Sequence, residues 1–405
     1  MDDVHISEPW AIRPVVGSKI AIGDTIGRDD WIINALKLMR DGNNLVCSDP
    51  RRLGKTTTVR RLVNEPGDNL TALLIDYEGV ETPTQFLLHT VKGLASERTL
   101  WAKATEAAAR LFDGTEVTAG QFGVGLKIKN TQRDRRPIEL LRDVLAPIHE
   151  SLGDGELLIL VLDEVPIAVR NIARGSDAGP DEAAHLLQEL RNLRQAFDKI
   201  RWLITGSIGF HHVLKECTDT TVVVINDLQN VTLGPLESDH AEFLARCLAL
   251  GINRAIDTEA IAEVAKATGG VPFFIHALFH TIRSGGDVGP VTILEVTRAF
   301  ETYLNDRDES RVIDHILERL DVYYPSQLLG TTTALLDTTS IAGPLSIADA
   351  RDLIRGKADS ASNSDAEALI NMLIDDHYLV RVEGALVWRY DVFRRIWINR
   401  RGVGK

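Results

Sequence analysis

The sequence predicts an α/β fold in which a parallel sheet flanked by helices is followed by helices alone and then by a module of three helices and a hairpin. Three stretches predict it. Asn44-Leu-Val-Cys-Ser-Asp-Pro-Arg-Arg-Leu-Gly-Lys-Thr-Thr57 reads as a short apolar strand, a tight loop and the opening of an amphipathic helix. Glu156-Leu-Leu-Ile-Leu-Val-Leu-Asp163-Glu164 is an apolar run of strand length ending in two adjacent carboxylates, the pattern of a strand buried on both faces. From about residue 234 the pattern is helical, until residues 379–390 return as a hairpin turned at Glu383-Gly384.

The first stretch has the chemistry of a phosphate-binding loop. Successive loop N–H groups and the helix N-terminus cradle phosphates, Lys55 reaches the β/γ oxygens, and the Thr56 hydroxyl ligates Mg²⁺. The contacting run is Asp49, Pro50, Arg51, Arg52, Leu53, Gly54, Lys55, Thr56 and Thr57. The strict pattern G-x-x-x-x-G-K-[ST] has glycine where this chain has Asp49. An anion facing a triphosphate is unfavourable, so Asp49 is expected to be offset by Arg51, Arg52 or Mg²⁺, or to point away. The acids of the second stretch lie at the carboxyl end of a strand, where ligands bind in open α/β sheets. Asp163 is expected to hold Mg²⁺, directly or through water, and Glu164 to polarise the attacking water. The implied ligands are ATP or ADP with Mg²⁺.

Composition bounds the alternatives. With 405 residues, 44% of them hydrophobic and 25% charged, the chain has enough material for two or three globular domains. A formal net charge of -13 argues against wholesale attraction to nucleic acid or an anionic membrane. The N-terminus lacks the basic and apolar regions of a signal peptide, and no apolar run approaches bilayer-spanning length, so a cytoplasmic protein without membrane contact is expected. Cys47, Cys217 and Cys247 show neither paired nor metal-ligand spacing.

In chain order, residues 1–25 read as an extended arm. A helix follows with Ile32, Ala35, Leu36 and Met39 on one face. Beyond the loop come a strand at 70–76, a helix at 83–98, an alanine-rich helix at 102–110, a hairpin at 117–129 and a helix at 137–150. The helix at 182–197 buries Leu186, Leu190 and Leu193. It carries Arg191 and Arg194, which are either solvated charges or a finger acting in trans on a neighbour's γ-phosphate. Arg201-Trp-Leu-Ile-Thr-Gly-Ser207 is a buried strand ending in hydroxyls, and Thr221-Val-Val-Val-Ile225 is expected to complete the sheet. The divisions are an arm at 1–25, a nucleotide-binding core at 26–233, a helical lid at 234–320 and a winged-helix domain at 321–405.

Ile26-Gly-Arg-Asp29, a helix, and then Asp-Pro-Arg-Arg-Leu-Gly-Lys-Thr together resemble the P-loop ATPases of the AAA and STAND (signal-transduction ATPase) groups. The match is to the archaeal-type ATPases, whose loop commonly reads Gly-Pro-Arg-Arg-x-Gly-Lys-Thr, and their relatives in origin recognition. The resemblance implies that Ile26, Gly27 and Arg28 line the base pocket. It implies that Thr205 or Ser207 is a sensor of the γ-phosphate or of the catalytic water, although a turn-capping role suits either residue. It implies that Gly270-Val-Pro272 is the lid's Gly-x-Pro box, with Pro272 touching the nucleotide; a helix stop followed by a helix start also accounts for those residues. The catalytic set is then Lys55, Glu164 and Ser207, and the metal set Thr56 and Asp163. The function expected is an ATP-binding, slowly hydrolysing regulatory switch that signals through its lid and winged helix to a protein partner or to a second copy. A DNA-binding loader or initiator built on the same core is the alternative, and a scaffold in which Asp49 abolishes binding is a third reading. The third helix of the C-terminal module, residues 364–376, carries Asp365, Glu367, Asp375 and Asp376 and no Lys or Arg, with Ala366, Leu369, Ile370 and Leu373 as its inward face, which favours protein contact over DNA. Basic residues at Arg351, Arg355, Lys357, Arg394, Arg395, Arg400 and Arg401 leave another face available to DNA.

Overall fold

The computed structural model describes residues 8–17, 19–97, 100, 116–120, 123–127, 137–217, 222–306, 311–357 and 362–404. The chain divides into two compact units. One is Arg28–Arg51 with Lys55–Leu233; the other is Met1–Gly27, Arg52–Gly54 and Gly234–Lys405.

The first unit is the α/β core. Helix α1 (Asp29–Arg40) leads to β1 (Asn44–Cys47), and α2 (Lys55–Asn64) follows the loop. Then come β2 (Leu70–Asp76), α3 (Pro83–Ser96), the antiparallel hairpin β3 (Glu116–Gly120) and β4 (Gly123–Lys127), and α4 (Leu140–Ser151). The acid-ended strand is β5 (Leu157–Asp163), followed by α5 (Val165–Gly175), α6 (Gly179–Ala196), β6 (Ile200–Thr205), α7 (Phe210–Leu214) and β7 (Leu228–Asn230). The main sheet runs β2-β5-β6-β1-β7, parallel throughout. Its strands read as continuous apolar runs because helices cover both faces. The face chosen for α1 is the one that packs: Ile32, Ala35, Leu36 and Met39 join Leu45, Ile159, Val161 and Leu203 in one buried cluster.

Two expectations need correction or placement. Residues 222–225 form a 3-10 turn, and the edge strand is Leu228–Asn230, which pairs with β1. The valine run has β propensity, but propensity yields to tertiary context: the Val224 carbonyl accepts from the Arg194 guanidinium at 2.8 Å. The alanine-rich helix expected at 102–110 lies outside the described residues.

The second unit is mainly helical: α8 (Ser238–Gly251), α9 (Thr258–Thr268), α10 (Pro272–Gly285), α11 (Ile293–Asn305), α12 (Arg311–Tyr323) and α13 (Leu329–Ala342). It continues through β8 (Leu345–Ser346), α14 (Ile347–Lys357), α15 (Asn363–Asp375), β9 (Leu379–Val382), β10 (Ala385–Trp388) and α16 (Asp391–Arg401). The small sheet is ordered β8-β10-β9 and antiparallel, turned at Glu383 and Gly384, both at positive φ. The expected inner face of α15 is buried at Ala366, Leu369, Ile370 and Leu373, and a Ser362–Asp365 capping box starts that helix. The N-terminal arm packs within this unit. Ile12 is buried and donates its N–H to the Cys247 carbonyl at 3.0 Å, and Trp10 meets Phe243 edge-on. Among the described residues no helix is long and apolar enough to cross a membrane.

Candidate nucleotide site

Strand order builds the site. β6 lies between β1, which feeds the loop, and β5, which ends in the acids. The register pairs Cys47 with Thr205, and Asp76 with Asp163, so the carboxyl ends of four adjacent strands, β2, β5, β6 and β1, lie side by side.

Asp163 is the hub. One carboxylate oxygen accepts from the Thr56 hydroxyl at 3.1 Å and the other accepts from the Thr205 hydroxyl. Thr56 lies in the first turn of α2, so the hydroxyl is delivered beside the N-terminus whose free N–H groups attract anions. The two residues expected to form the metal set are therefore in contact, and their donors are oxygens of the hard type that Mg²⁺ takes.

Glu164 has φ of 60 and caps α5 from the left-handed region. This conformation is uncommon for a residue with a Cβ. Its Oε2 accepts the Ser207 N–H at 2.9 Å and the Ser207 hydroxyl at 3.1 Å. Burial pushes the Glu164 carboxyl above its ordinary range, opposed by the Ser207 N–H bond.

Lys55 is buried, and its Nζ donates to the carbonyl oxygens of Asp49 and, at 2.9 Å, Pro50. Desolvation lowers its pKa, partly offset by Cys47, Glu164, Asp49 and Asp163. A phosphate anion would favour the charged ammonium and relieve that penalty. Asp49 is almost wholly buried. Its Oδ2 accepts the Leu233 N–H at 2.6 Å and the Cys47 thiol at 3.4 Å, and its charge also favours the Lys55 ammonium.

The remaining candidates divide. Arg51 lies close enough to favour the Glu164 carboxylate. Arg28 is buried and donates to the Leu233 carbonyl at 3.2 Å. Arg52, Leu53 and Gly54 belong to the helical unit, together with Gly27 and Pro272. There Leu53 is fully buried, the Arg52 guanidinium lies 4.7 Å from the Phe273 ring centre, and Pro272 opens α10. Thr57 is half-buried in α2. Arg194 is not a solvated charge. It is buried and pairs both carboxylate oxygens of Asp227, at 2.7 and 2.8 Å.

No family model and no curated protein matches the chain. Solved structures do. The Walker-type ATPase PABY2304 of Pyrococcus abyssi has a TM-score of 0.63 at 17% identity, covering 96% of this chain and 99% of that one. The ORC2 protein of Aeropyrum pernix, solved as ADPNP–ADP complexes, has a TM-score of 0.53 at 10% identity, covering 93% and 95%. At such identities the likeness is one of fold. The chain has the P-loop NTPase fold, a five-stranded parallel sheet flanked by helices with a helical C-terminal region.

Proposed function

We propose that the chain is an ATP-binding and slowly hydrolysing regulatory ATPase of the AAA/STAND type, switching between states through its helical lid and C-terminal module. The observation that carries this reading is the convergence of Thr56, Thr205 and Glu164 on the end of β5, with the buried Lys55 ammonium at the loop. Lys55 binds the phosphates. Thr56 and Asp163 would hold Mg²⁺, which when bound supplies positive charge to the phosphate oxygens. Glu164 orients the water and takes its proton on the carboxylate oxygen that Ser207 does not engage, while Ser207 fixes the carboxylate through Oε2. Ser207 is thus a positioning residue for Glu164.

The C-terminal segment follows the order of a winged helix, and we assign it to protein contact. Glu367 on α15 accepts from Arg351 and Arg381, so these cations are engaged. On α16, Arg394 binds Asp391, Arg395 the Ala267 carbonyl, Arg400 Asp314 and Arg401 Asp337. Reading DNA phosphates would require breaking these bonds. The test of the ATPase assignment is single-turnover hydrolysis by wild type and Glu164→Gln, with ATP binding measured alongside. The variant should bind but fall by about 100-fold or more in rate; unchanged turnover would remove Glu164 from the mechanism. Salt-dependent, sequence-selective duplex binding by the full chain, lost on charge reversal of Arg394 and Arg395, would replace protein contact with DNA binding.

A further inference from the structure

Leu233 is the last residue of the α/β core, and side chains hold both of its backbone groups. The Asp49 carboxylate accepts its N–H at 2.6 Å, and the Arg28 guanidinium donates to its carbonyl at 3.2 Å. Both side chains are buried, at 1% and 4% exposure. Asp49 stands 184 positions away from Leu233 in sequence and Arg28 205, so neither bond is local turn chemistry. Charge-assisted bonds at such burial are the strong ones. Three residues on, within the helical unit, Leu236 donates its N–H to the Gly270 carbonyl at 2.8 Å. Gly270 has φ of 69, and a Cβ there would lie 2.3 Å from the Leu236 carbonyl oxygen. Only Gly234 and Pro235 separate the two fixed points. Gly234 has φ of 64 with open space around its Cβ position, the freedom expected of a residue that absorbs a change in backbone angle.

We propose that Asp49 and Arg28 are positioning residues that fix the core end of a hinge at Gly234-Pro235, and that Asp49 carries the occupancy of the phosphate loop to it. This rests on the reading that the loop binds a nucleotide. Asp49 touches both ends of the coupling. Its backbone carbonyl holds the Lys55 ammonium and its carboxylate holds Leu233. A triphosphate draws Nζ to its own oxygens. The Asp49 and Pro50 carbonyls then lose their donor, and the residue that carries the Leu233 bond must readjust. A glycine at this place, as in the strict motif, keeps the loop path and has nothing with which to hold Leu233. The departure from the motif therefore adds a link to the loop without taking a phosphate ligand from it.

The experiment is hydrogen exchange at the Leu233 amide, with and without Mg-ATP, in full-length wild type, Asp49→Gly and Asp49→Asn. Without nucleotide, exchange in Asp49→Gly should be at least about tenfold faster than in wild type, and in Asp49→Asn, which keeps an acceptor, within about threefold. With Mg-ATP at a concentration that titration shows to saturate each protein, wild type should change its Leu233 exchange by at least about threefold and Asp49→Gly should show no response. Equal exchange in the three nucleotide-free proteins, or an ATP response that persists in Asp49→Gly, would overturn the proposal. The nucleotide-free comparison needs no ligand, so it separates this proposal from the ATP-binding reading, which the wild-type titration decides. Should Asp49→Gly fail to fold, Asp49→Asn and Arg28→Met, which removes the carbonyl side of the clamp, carry the same comparison.

Discussion

The carboxylate of Glu164 is held by Ser207 through two donors, the backbone N–H at 2.9 Å and the hydroxyl at 3.1 Å. The strand order explains the pairing. Glu164 directly follows β5, Ser207 lies two residues beyond β6, and these strands are neighbours. Because the N–H survives substitution, Ser207→Ala should lower the hydrolysis rate by about tenfold or less, against about 100-fold or more for Glu164→Gln. Its pH profile should also move, since the lost hydroxyl bond favours the charged carboxylate. Equal defects in the two variants would make Ser207 more than a positioning residue.

The buried Arg194 and the partly exposed Asp227 form a bidentate pair. Removing the guanidinium leaves the Asp227 carboxylate and the Val224 carbonyl without their donor, so Arg194→Ala should cost about 1–3 kcal/mol in denaturant unfolding. ATP turnover per folded molecule should be unchanged, including at concentrations that favour self-association. A turnover defect rescued by mixing with a Lys55→Ala protein would restore the finger role.

His276 is buried, and its Nδ1 accepts the Val15 N–H at 3.4 Å. Burial pushes its pKa down to about 4, opposed by Asp24. The unfolded chain, with an ordinary histidine pKa of about 6.5, takes up a proton first as pH falls. The stability from a neutral His276 is therefore complete above about pH 6.5, declines toward pH 4 and levels off below it, a total of roughly 3 kcal/mol. Stability curves of wild type and His276→Gln across this window should converge as pH falls. Parallel curves would show that His276 does not titrate between the two states.

Gly251 closes α8 against the N-terminal arm. A Cβ there would lie 1.8 Å from the Ile12 carbonyl oxygen, so Gly251→Ala cannot keep the arm in place. Limited proteolysis should cut the arm of this variant faster than that of wild type, with a loss of about 1–3 kcal/mol in stability. An arm equally resistant in both proteins would contradict the packing of Ile12.

Local chemistry was legible in the sequence where one element contains the whole signal. The loop, the acid-ended strand, the faces of α1 and α15 and the turn at Glu383-Gly384 each depend on residues a few positions apart. Long-range choices were not. Leu228–Asn230 wins the sheet edge over the valine run because of its pairing with β1 and the demand of Arg194 for the Val224 carbonyl. Nothing near Asp49 in sequence announces that its carboxylate is spoken for by Leu233. Arg194 looked like any helix arginine, since its partner is 33 residues away. In each case a partner distant in sequence decides the role.

The central claim is that the loop ending in Gly54-Lys55-Thr56 binds the phosphates of ATP. Calorimetric titration of Mg-ATP into wild type and Lys55→Ala tests it most directly. Wild type should bind, and Lys55→Ala should lose about 100-fold or more in affinity, on the order of 3 kcal/mol for a buried charge-assisted contact. Equal affinity in the two proteins, or no binding by wild type, would contradict the account.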